Sequence, residues 1–145
     1  KEGKFAKDYR AKVRVSELPD PPTMEALVGD RYVVAQKTPS RVAHRRADLV
    51  RERWIEVLAV ELPGADHASD GEDPHVFVTM RTQAGTYVKE AISGEGGMTE
   101  PSIAQRLGVA EARCIELDVL AILDEEGDAS DEVIAEPPSA FGAGL

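Results

Sequence analysis

Arg51-Glu52-Arg53-Trp54-Ile55-Glu56-Val57-Leu58-Ala59-Val60-Glu61-Leu62 is the stretch on which the fold turns. Its charge spacing allows a helix or a strand. Its Val, Ile and Trp content favours a long strand, because such side chains pack well on a pleated surface. Residues 63–74 are polar and rich in Pro, Gly and Asp, so they read as a hairpin loop. His75-Val76-Phe77-Val78-Thr79-Met80-Arg81-Thr82 then alternates as the returning strand.

Working outward, Tyr9–Val15 alternates as a strand that ends at Leu18-Pro19-Asp20-Pro21-Pro22. Thr23 is expected to cap a helix from Met24 to Val28, and Tyr32–Gln36 reads as a short extended piece. Gln83-Ala84-Gly85 is a turn, and Thr86 is expected to cap a helix from Tyr87 to Ile92. Pro101 and Gly108 bracket a further helix, Ser102–Leu107, and Ala112–Leu123 reads as the last strand. Strands and short helices in non-alternating order predict an α+β fold with a mixed, mostly antiparallel sheet.

The 145 residues suit one domain, expected to span residues 1–123. Residues 124–145 hold seven acids and no base, and are expected to form a disordered acidic tail. Charge is divided unevenly. Residues 1–62 hold 13 Lys and Arg against 10 Asp and Glu, whereas residues 63–145 hold 4 against 17. The net charge of -10 therefore belongs to the second half, and adaptation to a salt-rich cytoplasm is its expected source. The start resembles no signal peptide, and no apolar run reaches membrane-span length, so a soluble cytoplasmic protein with no membrane partner is expected. Cys114 is the only cysteine, which rules out an internal disulfide and a cysteine-rich zinc site. His44, His67 and His75 lack metal-ligand spacing and are expected on surfaces or loops.

Two constellations carry possible chemistry. Arg41, His44, Arg45, Arg46, Arg51 and Arg53 gather positive charge within thirteen residues of an acidic protein. Such a run fits an anion, foremost a nucleic-acid backbone, or else a solvated basic surface. Gly85-Thr86-Tyr87-Val88-Lys89-Glu90 sets Tyr87 and Lys89 where a strand end meets a helix start, a place for a site or for an ordinary capped helix. Gly94-Glu95-Gly96-Gly97 lacks the Gly-Lys-Ser/Thr ending of a phosphate-binding loop.

Five segments occur in one order: Lys7-x-Tyr9-Arg10-Ala11; Gln36-Lys37-Thr38-Pro39-x-Arg41-Val42-x-His44-Arg45-Arg46; Gln83 to Glu90; Thr99-x-Pro101-Ser102; and Glu116-Leu117-Asp118-Val119. Over roughly residues 4–123 the chain thereby resembles the C-terminal part of the catalytic domain of the archaeal and eukaryotic tRNA pseudouridine synthases, which modify uridines 54 and 55 of the TΨC arm. The Gly-Thr-Tyr-Val-Lys piece is also similar to the Gly-Thr-Tyr-Ile-Arg box of the bacterial tRNA pseudouridine-55 synthases.

The resemblance implies roles. Tyr9 and Tyr87 become contacts to the target uracil, and Lys89 becomes the cation paired with a nucleophilic aspartate. An aromatic face holds a base once it has left its stack, and a nearby cation keeps a carboxylate ionised. The arginine-rich run becomes a set of RNA backbone contacts. The partner implied is tRNA, with no cofactor, no metal in this part of the chain, and action as a monomer. The sequence departs from the family in lacking a Gly-Arg-Glu-Asp-x-Asp-x-Arg run, and the chain is expected to be a fragment that cannot catalyse alone. Met98 stands where the family has Arg, which removes one expected phosphate or loop contact. The alternatives are an RNA-binding module without catalysis and a protein-interaction domain working through its acidic half.

Overall fold

The computed structural model describes residues 5–38, 50–63 and 74–123. In chain order the elements are β1 (Lys7–Val15), α1 (Pro21–Leu27), β2 (Arg31–Lys37), β3 (Val50–Glu61), β4 (His75–Thr82), α2 (Val88–Ser93), β5 (Thr99–Glu100), α3 (Ile103–Leu107) and β6 (Ala112–Ile122), with a 3-10 turn at Glu95–Gly97. The ambiguous stretch is thus a strand, and it pairs with β4 as a hairpin. The sheet has six strands in the order β5-β2-β3-β4-β1-β6. Every described pairing is antiparallel. The fold is α+β, as the element order implies. Arg41, His44, Arg45, Arg46, His67 and the tail at 124–145 lie outside the described residues.

All three helices lie on one face of the sheet. Met24 and Leu27 of α1, Val88, Ala91 and Ile92 of α2, and Ile103 and Leu107 of α3 share one cluster with Ala11, Val13, Val34, Ile55, Val57, Val78 and Met80. Burial of this cluster is the main favourable term in folding. The other face carries ion pairs and stacked arginines. Arg81 donates to both carboxylate oxygens of Asp8 at 2.7 and 3.1 Å. Arg31 bonds Glu56 at 3.0 Å while its guanidinium lies 3.8 Å from the Trp54 ring centre. Arg10 does the same with Glu61 and the Phe77 ring.

Several local readings change. Helix α1 starts at Pro21, with Asp20 as its N-cap, so the two prolines open the helix instead of standing before it. A proline there loses no hydrogen bond, because the first helical N–H groups have no intrahelical partner. Thr23 lies inside this helix, and its hydroxyl donates to Asp20 Oδ2. Thr86 does not cap α2; Tyr87 is the N-cap, and the Thr86 hydroxyl donates to the Gln83 carbonyl at 2.6 Å. Helix α3 begins at Ile103, after Ser102, which forms a capping box with Gln105. His75 is buried at the start of β4, edge-on to Phe77, and not on a surface or loop. On β6 the expected alternation breaks, because register shifts opposite Asp8/Tyr9 and Lys12/Val13 leave Leu120 and Ile115 without partners on β1. Ile115, Val119 and Leu120 are exposed on this edge strand.

Ile55 is fully buried on β3. Ile55→Ala should cost about 2–5 kcal/mol of unfolding free energy. Leu120→Ser on the exposed edge should change it by less than about 0.5 kcal/mol. Urea unfolding of the 145-residue chain, followed by the fluorescence of its single tryptophan, measures both.

Candidate functional site

The helix-bearing face turns polar toward one end of the sheet. In register, β1 runs from Val13 and Ala11 to Tyr9 and Lys7, and β4 from Val78 and Met80 to Thr82. Strand β3 runs from Val57 and Ile55 to Arg53 and Arg51, and β2 from Val34 to Gln36. The strands are antiparallel, so the starts of β1 and β3 and the ends of β2 and β4 lie side by side. Polar groups placed inside require partners, and at this end some have them and some do not.

Gln36 has them all. It is 2% exposed. Its Nε2 donates to the Tyr87 carbonyl at 2.9 Å and to Thr99 Oγ1 at 3.0 Å, and its Oε1 accepts the Tyr87 N–H at 3.0 Å. One side chain therefore grips both sides of the residue that starts α2. The turn before it is pinned to β3: the Gln83 N–H donates to the Trp54 carbonyl, and the Gln83 side chain accepts the Trp54 N–H, each at 2.9 Å. Gly85 closes this turn at φ +81°, a conformation that favours glycine. A Cβ at position 85 would also lie 3.3 Å from Arg53 Nε and Nη2, so the Arg53 guanidinium packs directly against the turn that leads to Tyr87.

Tyr9, Arg51 and Arg53 each hold an atom without a partner among the described residues. The Tyr9 side chain is completely buried, and its hydroxyl finds no hydrogen-bond partner among the described residues. Burial pushes its pKa well above the ordinary tyrosine value. Arg53 Nη1 donates to the Glu52 carbonyl at 2.8 Å. Arg53 Nε and Arg51 Nη1 are shielded from water, with no acceptor among the described residues. Burial lowers the Arg53 pKa, the neighbouring Arg51 charge lowers it further, and Tyr87 opposes both. Lys7, in phase with Tyr9, is also buried, and that burial lowers its pKa.

Of the residues singled out by sequence, the structure brings Arg51, Arg53 and Tyr87 together. Tyr9 lies on the same face and toward the same end. Lys89 is exposed on α2 and makes no ion pair among the described residues. Its charge reaches Cys114 on β6, where it lowers the pKa of a thiol that burial raises. No hydrogen bond or ion pair joins Tyr9, Tyr87 and Lys89 to one another. Met98 holds β2 through its main chain, accepting the Lys37 N–H at 2.8 Å. Gln36 and Lys7 are the residues that sequence reasoning left without a role. The signal was strand phase, since Gln36 shares the face of Val34, and Lys7 that of Tyr9 and Ala11. An open groove of about 670 Å³ lined by Arg14, Ser16, Glu95, Glu111 and Arg113 lies at the opposite end of β1, away from these residues.

A family model described as "Pus10, C-terminal" matches residues 1–123. A tRNA pseudouridine synthase Pus10 of Methanopyrus kandleri is 42% identical over 127 residues, covering 86% of this chain and 27% of the relative. The protein of that name from Halorubrum lacusprofundi is 41% identical over 128 residues, covering 87% of this chain and 28% of the relative. Among solved structures, a chain of a Cbf5-Nop10-Gar1 complex is similar with a TM-score of 0.48 and 23% identity, over 81% of this chain and 30% of that one. The curated relatives are pseudouridine synthases by name. The chain belongs to the Pus10 C-terminal family and spans 27–28% of the length of these two relatives.

Two outcomes follow from the geometry. Tyr9→Phe removes a buried hydroxyl without an acceptor among the described residues, so it should leave stability unchanged or raise it by up to about 1–3 kcal/mol. The folded-state pKa of Tyr9 lies above tyrosine's ordinary 10.0, so the native state binds this proton more tightly than the unfolded chain does. Stability is therefore retained below that value and lost as pH rises past it, and Tyr9→Phe should lose less. Urea titrations at several alkaline pH values report the difference. Gln36→Ala should orphan the Tyr87 N–H, while the Tyr87 carbonyl keeps the Ala91 N–H at 2.9 Å, costing about 1–3 kcal/mol. Exchange of the Tyr87 amide hydrogen, read by NMR, should accelerate at least about tenfold.

Proposed function

We propose that this chain supplies the C-terminal part of a tRNA pseudouridine synthase active site, acting on uridines 54 and 55 of the TΨC arm. The reading rests on one observation: a member of this family has turned one end of its helix-bearing face polar, placing Tyr87 there beside Tyr9, Arg51 and Arg53, of which the last three hold donors without an acceptor among the described residues. The isomerisation breaks the C1′–N1 glycosidic bond, turns the uracil, and joins C1′ to C5. The C5 proton is lost and N1 gains one. No step calls for a redox change.

In this reading Tyr87 contacts the uracil from a backbone that Gln36 holds fixed, which is the preorganisation such chemistry rewards. Tyr9 is the second contact. Its ring is buried in the free chain, so RNA binding has to uncover it. Lys89, exposed and without an ion pair among the described residues, is available to a carboxylate supplied from outside this chain. Beside a cation that carboxylate stays ionised and nucleophilic. The arginine-rich run from Arg41 to Arg53 positions the RNA backbone without reading bases.

A second reading is RNA binding without chemistry. Tritium release from tRNA labelled at C5 of uridine separates the two, because only bond formation at C5 expels that hydrogen. In the full-length protein carrying this chain, Lys89→Ala and Tyr9→Ala should each lower release by about a hundredfold or more, with Lys89→Arg largely restoring it. Wild-type rates in both alanine variants reject the site assignment. Binding without release by the unaltered protein selects the second reading.

A further inference from the structure

Arginine is treated in two ways in this fold. Arg10, Arg31, Arg81 and Arg106 each face a carboxylate, at 3.5, 3.0, 2.7 and 2.6 Å. Arg51 and Arg53 face none among the described residues. They stand two residues apart on β3, so both side chains lie on the helix-bearing face, opposite Gln36 and Val34 of β2. Arg51 Nη1 and Arg53 Nε are desolvated donors without an acceptor among the described residues. Two half-buried guanidiniums side by side repel each other, and the pairing is costly to fold.

The cost is offset if the pair receives an anion. The chemistry selects which one. A guanidinium fork matches the oxygens of a tetrahedral phosphate and bonds two of them at once. The wall of the space is the Gly85 turn, closed so tightly on Arg53 that a methyl group would meet the guanidinium at 3.3 Å. Tyr87 follows that turn two residues later. An anion held here lies beside whatever Tyr87 contacts.

We propose that Arg51 and Arg53 form a preformed subsite for one backbone phosphodiester of the bound RNA, bordering the nucleotide that Tyr87 contacts. This deepens the reading above and rests on it for the identity of the ligand. It separates these two arginines from ordinary surface charges: they hold one particular phosphate, at a fixed position, instead of adding to a diffuse attraction.

Two measurements on the full-length protein test it. The first uses a TΨC-arm RNA hairpin in which each phosphate in turn is replaced by a neutral methylphosphonate. One replacement should weaken wild-type binding about tenfold, and the same replacement should cost Arg53→Gln and Arg51→Gln nothing further. Other positions should respond alike in all three proteins. Each variant should also lower the slope of log K against log salt by about 0.7. Arg10→Gln, on the opposite face, should show the full wild-type pattern. The second measurement titrates inorganic phosphate, without RNA, against the Nε–H NMR signal of Arg53, with chloride as control. A saturable shift is expected. Arg51→Gln should melt no lower than wild type, since it relieves a repulsion, so loss of binding is not loss of fold.

A uniform loss at every phosphate position, or variants that keep the wild-type interference pattern, overturns the subsite while leaving RNA binding intact. A hairpin that does not bind, together with a phosphate-dependent shift at Arg53, keeps the subsite and overturns RNA as its ligand. No shift with inorganic phosphate and no coupled position overturns the subsite outright.

Discussion

A sheet whose described helices lie on one face puts alternate residues of β1, β2 and most of β3 and β4 inside, and that period governs this molecule. Strand residues cannot choose their side independently: a one-residue slip would exchange the whole buried set for the exposed one. Five antiparallel pairings tie the phase of each strand to that of its neighbour. Once Val13, Ala11 and Val78 are inside, Tyr9, Lys7 and Thr82 are inside as well. The polar end of the interior follows from the same phase as the apolar core. It is the core continued, with different side chains.

This explains why the polar end is costly and why its cost is uneven. Gln36 is inside and fully bonded, which makes it a structural member of the turn before α2. Tyr9, Arg51 and Arg53 are inside with groups unsatisfied among the described residues. Buried polar groups left unpaired oppose folding, so their place here needs a reason outside folding. Membership of the Pus10 C-terminal family gives the proposed reason, an RNA ligand that arrives after the chain has folded.

Much of this was legible in the sequence. The period of two in His75–Thr82 and Tyr9–Val15 was plain, and composition settled the Arg51–Leu62 stretch. What failed did so for local reasons. Pro21 and Pro22 looked like strand terminators and are a helix start, because proline serves both tasks. Thr86 looked like a cap, but its hydroxyl is closer to closing the preceding turn. The alternation of Ala112–Leu123 was read as regular, and bulges on this edge strand reverse it twice. For the site, Tyr87 and the arginines were visible as types and spacing. Gln36 was not, since a glutamine in an extended piece gives no sign of what it will grip 51 residues away. Lys7 gives no such sign either, because a lysine is seldom buried.

The close fit of Gly85 to Arg53 has a consequence for sequence change. Position 85 is restricted twice, by a backbone torsion that disfavours side chains and by a guanidinium in the way of a Cβ. A shorter residue at 53 lifts the second restriction and leaves the first. The two positions are therefore coupled in one direction: tolerance at 85 depends on what stands at 53, while no change at 85 makes more room for the arginine than glycine already does. Losing the arginine frees space at the turn, but the torsion at 85 still favours glycine.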